Sequence, residues 1–162
     1  MRPTLPVVVL LTAVLLSGPL SAQGRRPRAE LATRVASSEL KPGDTARLVL
    51  HVTLPAGLHV QADKPKDPAL IATDLTVDPP KGTSLVDIVY PKPIDFKQAG
   101  APEPLAVFTE QFDVVVRLKL SATVAAGTLT VPGHFRYQAC NDSICFPPVR
   151  TDASWTVVVA SK

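Results

Sequence analysis

Apolar and polar residues alternate with a period of two along several stretches of this chain. In "DTARLVLHVTL", Ala46, Leu48, Leu50, Val52 and Leu54 fall on one side, with Arg47, His51 and Thr53 on the other. "QFDVVVRLKL" repeats the pattern with Phe112, Val114, Val116, Leu118 and Leu120 inward and Asp113, Arg117 and Lys119 outward. "ASWTVVVA" does so through Trp155, Val157 and Val159. Such alternation is that of half-buried strands. Further strands are expected at 30–37, 58–62, 70–77, 85–90 and 128–138. Turn signals separate them: "KPGD" at 41–44, "LPAG" at 54–57, "DPPKG" at 78–82 and "AAG" at 125–127. Many short antiparallel strands, each with one apolar face, predict an all-β, two-sheet antiparallel sandwich. The longest stretch without strand pattern is "PKPIDFKQAGAPEPL", from Pro91 to Leu105. A loop of that length in a small domain is usually functional or disordered.

Composition sharpens this picture at the N-terminus. Arg2 precedes an apolar run from about Pro6 to Leu16, followed by small residues ending at Ala22. That layout predicts a secretory signal peptide over 1–22, cleaved near Ala22, the apolar run being too short and too proline-broken for a spanning helix. One domain, 23–162, then follows, periplasmic or secreted, where a cysteine pair can persist as a disulfide. The basic run "RRPR" (Arg25 to Arg28) just after the cleavage site reads as a solvated tail. Seventeen prolines and eight glycines leave little room for helices, and a net charge of +3 gives no reason to expect a nucleic-acid partner.

The candidate chemistry lies in "YQACNDSICFPP", Tyr137 to Pro148, which holds both cysteines of the chain, Cys140 and Cys145. Three readings stay open on the residues alone. As a staple, a six-residue ring is weak, contributing about 2 kcal/mol on the loop-closure model. As a metal clip, the pair would need His51, His59 or His134, whose spacing matches no common zinc pattern. As an exchange site, the pair needs an accessible sulfur and a surface for docking. Asp142 inside the ring raises thiol pKa values, and no lysine or histidine within it lowers them. The pair therefore suits being attacked by a partner's more acidic thiolate.

The stretch "YQACNDSICFPP" resembles the signature of the N-terminal periplasmic domain of the DsbD thiol:disulfide interchange protein family. That signature is a Tyr-Gln-x-Cys element, a short spacer, and a second cysteine followed by an aromatic residue and two prolines. The spacer "NDSI" is shorter than in the best-known members. "LPAGLHVQADKP", Leu54 to Pro65, is similar to the family's early strand pair, and the likeness spans essentially all of 23–162. The resemblance implies an immunoglobulin-like sandwich whose cysteines pass electrons. The donor would be a thioredoxin-like domain or a membrane electron-transfer protein; the acceptors would be periplasmic oxidoreductases. It makes Cys145 the sulfur that forms mixed disulfides and Cys140 its resolving mate. It also implies a cap loop over the cysteines, with Phe96 as the shielding aromatic and Tyr137, Phe146 and Pro147 around the site. No cofactor and no metal are implied, and a monomer is expected. With the chain ending at Lys162, separate proteins are expected to supply the family's membrane and thioredoxin-like domains. The rival expectation is a non-catalytic secreted binding module whose cysteines form an inert local staple.

Because so small a ring constrains the unfolded chain so little, the reduced protein should remain folded. Circular dichroism should show native β structure after reduction, with Tm lowered by several degrees at most; global unfolding on reduction would identify the pair as a staple.

Overall fold

The alternation along 44–54 is realised as a strand, Thr45–Thr53, whose even-numbered residues Ala46, Leu48, Leu50 and Val52 are buried. The computed structural model describes residues 27–37, 39–98 and 100–161, so the expected signal peptide, with Arg25 and Arg26, lies outside the described residues. Eleven strands follow one another: β1 (Glu30–Val35), β2 (Thr45–Thr53), β3 (His59–Gln61), β4 (Asp74–Val77), β5 (Thr83–Val89), β6 (Ile94–Phe96), β7 (Leu105–Thr109), β8 (Gln111–Leu120), β9 (Gly127–Tyr137), β10 (Ala139–Cys140) and β11 (Val149–Val159). There is no helix among the described residues.

One sheet has the order β1-β2-β8-β5 and a second the order β11-β9-β4, and every strand pairing within them is antiparallel. The two pack face to face as a sandwich of the immunoglobulin-like kind. Its core holds Leu48 and Leu50 of β2, Val114, Val116 and Leu118 of β8, Val131 and Phe135 of β9, and Trp155 and Val157 of β11. Trp155 joins the layers: its ring is buried in the core and its Nε1–H donates to the Val49 carbonyl of β2 at 2.9 Å. A buried indole needs such a partner, since an unpaired N–H inside would cost a full desolvation penalty. On the solvent side of the first sheet, Asp113 accepts from Arg34 at 2.6 Å and meets His51 at 2.7 Å, and Arg117 pairs with Asp87. Exposed pairs of this kind add little stability and mainly keep these strand faces soluble.

A third sheet, β10-β3-β7-β6, extends the sandwich at one end. Three of its strands continue strands of the main sheets. β3 follows β2 through the "LPAG" turn, where Gly57 has φ 77°. β7 runs into β8 through Glu110 alone, a non-glycine residue at φ 54°, and the Leu54 amide caps that bend by donating to the Glu110 carbonyl at 2.6 Å. β10 continues β9 after Gln138.

Three of these four strands are ones the alternation did not mark. β6 and β10 are too short for a period to register, and the four prolines of 91–105 hide β6 further. β7, "LAVFT", is apolar without a break because Ala106, Val107 and Phe108 are buried, so both faces of the strand are covered. β4 begins at Asp74 rather than at 70, and β11 begins at Val149, ahead of the patterned "ASWTVVVA".

Gly133 on β9 provides a test of how closely the layers are fitted. A Cβ at this position would lie 2.8 Å from the Thr76 carbonyl oxygen of β4 and 3.0 Å from the Trp155 ring. Neither can withdraw easily, so Gly133→Ala should destabilise the fold by about 1–3 kcal/mol in urea denaturation, the usual cost of overpacking. An unchanged midpoint would show that β4 is free to shift.

Candidate functional site

The cysteine stretch is a tight β-hairpin stitched at three levels. The Phe146 amide donates to the Ala139 carbonyl at 2.8 Å, Cys140 bridges to Cys145, and the Asn141 amide donates to the Ile144 carbonyl at 2.9 Å. Asp142 and Ser143 form the tip. The sequence encodes this turn through Asn141, whose Oδ1 accepts from the amides of Ser143 at 2.9 Å and Ile144 at 2.8 Å. Asparagine favours such turns because its side chain satisfies backbone donors that a two-residue tip leaves open. Cys140 and Cys145 are bonded as a disulfide across the hairpin. The returning segment stops at Phe146, because Pro147 and Pro148 have no amide to continue a ladder. Gln138 secures it by donating from Nε2 to the Phe146 carbonyl at 3.0 Å.

The two cysteines have unlike surroundings. Cys140 lies between the returning segment and β3 and is wholly buried, whereas Cys145 stands on the outer edge and is exposed, beside an Ile144 that is 54% exposed. Phe146 is half-buried against the core, and Pro147 and Pro148 are exposed.

Beneath the hairpin the register of the third sheet decides what faces the sulfur. Cys140 is directly opposite His59, and His59 is directly opposite Thr109. Residues opposed in an antiparallel pair project from the same face. Cys140, His59 and Thr109 therefore share one face, together with Gln61, Val107 and Phe96. The other face, Ala139, Val60, Phe108 and Ala106, belongs to the sandwich core. Both faces of β3 and β10 and the middle of β7 are thus covered, while Ile94 and Asp95 of the edge strand β6 remain exposed. On the cysteine side the Phe96 ring lies 4.3 Å from the His59 ring, tilted by 37°. Phe96, expected in an unpatterned loop, is instead the last residue of β6 and is half-buried.

His59 did not stand out in the sequence as part of the site; it had counted only as one of three scattered histidines. It is 2% exposed, and among the described residues its Nε2 has no hydrogen-bond partner, nor does Oε1 of Gln61 two residues on. Burial pushes the imidazole below the ordinary histidine range, against smaller upward effects of the Asp142 charge and the Gln98 side chain. A signal was available: "LHVQA" puts His59 and Gln61 at alternate positions of an otherwise apolar strand, which marks a polar face that is nonetheless covered. The other two histidines belong to other sheets, His51 on β2 beside Asp113 and His134 on β9 beside Asp152 at 2.8 Å. The three do not converge on the cysteines.

Tyr137 is placed differently from the expectation that put it around the cysteines. It is a core residue with no exposure, stacked on Phe135 with ring centroids 5.4 Å apart, and its hydroxyl accepts from the Ala29 amide at 2.8 Å. Strand alternation turns it, like Ala139, toward the core, while Cys140 points to the opposite face. Its task in this fold is to hold the N-terminal segment down.

The sequence profile of the family described as "Thiol:disulfide interchange protein DsbD, N-terminal" matches residues 28–155. Among solved structures, the N-terminal periplasmic domain of ScsB from Proteus mirabilis aligns with a TM-score of 0.50 and 17% identity, over 80% of this chain and 46% of that one. This chain therefore spans less than half the length of that protein's structure. The DsbD N-terminal domain of Neisseria meningitidis, in its reduced form, aligns at 15% identity with a TM-score of 0.49, over 79% of this chain and 85% of that one. No curated protein matches the chain. With the profile covering most of the sequence and both signature cysteines inside it, the chain belongs to the family of DsbD N-terminal domains.

Proposed function

We propose that this protein is a thiol–disulfide exchange module. Its Cys140–Cys145 disulfide opens and closes to relay electrons from a thioredoxin-like domain or a membrane electron-transfer protein to periplasmic oxidoreductases. The observation that carries this reading is the unequal exposure of the bonded pair: Cys145 is exposed at a sheet edge and Cys140 is wholly buried. Exchange runs through one mixed disulfide, so a partner's thiolate has to reach one sulfur and leave the other as the resolving group. Here Cys145 is the sulfur a partner attacks and Cys140 becomes the free thiol that later displaces the next partner. No cation lies within the ring to acidify either thiol, which suits a disulfide that receives electrons from a more acidic thiolate.

In this reading Phe96 shields the pair, acting through its contact with His59 at the flank of Cys140. The leader expected over 1–22 would deliver the module 23–162 to the periplasm. The Proteus mirabilis relative, itself described as a periplasmic domain, supports that location.

Two experiments test the assignment. A Cys140→Ala variant, retaining Cys145, should trap a mixed disulfide with a thioredoxin-like donor that lacks its own resolving cysteine, and Cys145→Ala should trap little. Non-reducing electrophoresis reads the result, and equal trapping or trapping through Cys140 alone would reverse the roles. Phe96→Ala should speed reduction of the disulfide by dithiothreitol several-fold. It should cost less stability than the roughly 3–5 kcal/mol of a core phenylalanine truncation; a full core-sized loss with unchanged reduction would make Phe96 a packing residue and nothing more.

A further inference from the structure

Resting on the exchange reading above, we propose that His59 is the proton acceptor for the Cys140 thiol, the group that turns the buried resolving cysteine into a nucleophile. Three observations meet at this residue. His59 is directly across the β3–β10 ladder from Cys140, with both side chains on one face. It is 2% exposed, so water cannot readily serve the buried sulfur in its place. Among the described residues its Nε2 has no hydrogen-bond partner, although a buried polar nitrogen is rarely left unpaired without a reason. While the disulfide is closed, Cys140 has no proton to donate. Once the pair is reduced, the Cys140 S–H is a donor opposite an acceptor that has none.

The surroundings keep that acceptor in its basic, neutral form. Phe96 of β6 lies against the ring, Thr109 of β7 and Cys140 of β10 flank it in register, and Gln98 after β6 is near it. Among the described residues Asp142, at the hairpin tip, is the charged group acting on it, and its upward pull is smaller than the downward effect of burial.

The step balances as follows. In the reduced protein, the Cys145 thiolate attacks a partner disulfide, forming a mixed disulfide and releasing one partner sulfur as thiolate. The Cys140 thiol then passes its proton to Nε2 of His59, and the resulting thiolate attacks Sγ of Cys145. The bond between Cys145 and the partner breaks, the Cys140–Cys145 bond forms, and the partner's second sulfur leaves as a thiolate that takes up a proton. Two electrons move from this protein to the partner, and His59 returns to neutral by losing its proton to the leaving thiolate or to solvent.

The test uses the reduced protein and 5,5′-dithiobis(2-nitrobenzoate), which releases one coloured thiolate when Cys145 attacks and a second when Cys140 resolves the adduct. In His59→Phe and His59→Gln, the ratio of the second rate to the first should fall at least tenfold at pH 7. The deficit should shrink as pH rises and the Cys140 thiol ionises unaided. In the unsubstituted protein the second phase should slow as pH drops through the His59 pKa, below the ordinary histidine range, and neither variant should show that inflection. A ratio unchanged in His59→Gln, or a deficit constant across pH, would overturn the proposal and leave His59 a packing residue. Should His59→Phe fail to fold, His59→Gln decides alone. Absence of any first phase in the unsubstituted protein would instead count against the exchange reading itself.

Discussion

The pairing of two residues, Ala139 and Cys140, with Val60 and His59 is the constraint on which the site depends. It fixes which of two adjacent side chains enters the sandwich core and which faces the hairpin. A slip of one residue would put Ala139 opposite His59 and drive the disulfide into the apolar interior. The slip is prevented from several directions at once. Ala139 and Tyr137 are embedded in the core, Phe146 returns to the Ala139 carbonyl, and Trp155 ties the layer that carries β9 and β11 to β2 of the other. The geometry of a site of a few residues is thus held by contacts that extend through much of the sandwich.

The sandwich was legible in the sequence because β2, β8 and β11 each have one face on the core and one toward water, and their residues alternate accordingly. The hairpin was legible in its cysteines and prolines. Of the third sheet only β3 was, inside the strand expected at 58–62. β6 and β10 are too short for a period to register, and β7 is covered on both faces, so no alternation remains in it to be read. His59 lies on the strand that was marked, yet its role was not legible. A polar residue on a covered face resembles a solvent-facing one in sequence, and the difference lies in Phe96, which comes from a segment whose prolines conceal its strand.

Tyr137 shows the opposite case. It stands in the cysteine motif three residues before Cys140, and the family resemblance set it around the site. Alternation sends it to the other side of the sheet, where its hydroxyl binds the Ala29 amide. Membership of a motif therefore mixes two kinds of requirement, residues that surround the sulfurs and residues that keep the strand carrying them in place.

The hairpin leaves Cys145 on an outermost segment, and an unpaired strand edge is ordinarily an invitation to self-association. Here that edge ends almost at once, since Pro147 and Pro148 follow Phe146 and offer no amides. Another chain can reach the sulfur, but it cannot lengthen the contact into a growing sheet. The geometry separates chemical access from backbone access: the disulfide can be met by another chain without the domain becoming a seed for aggregates.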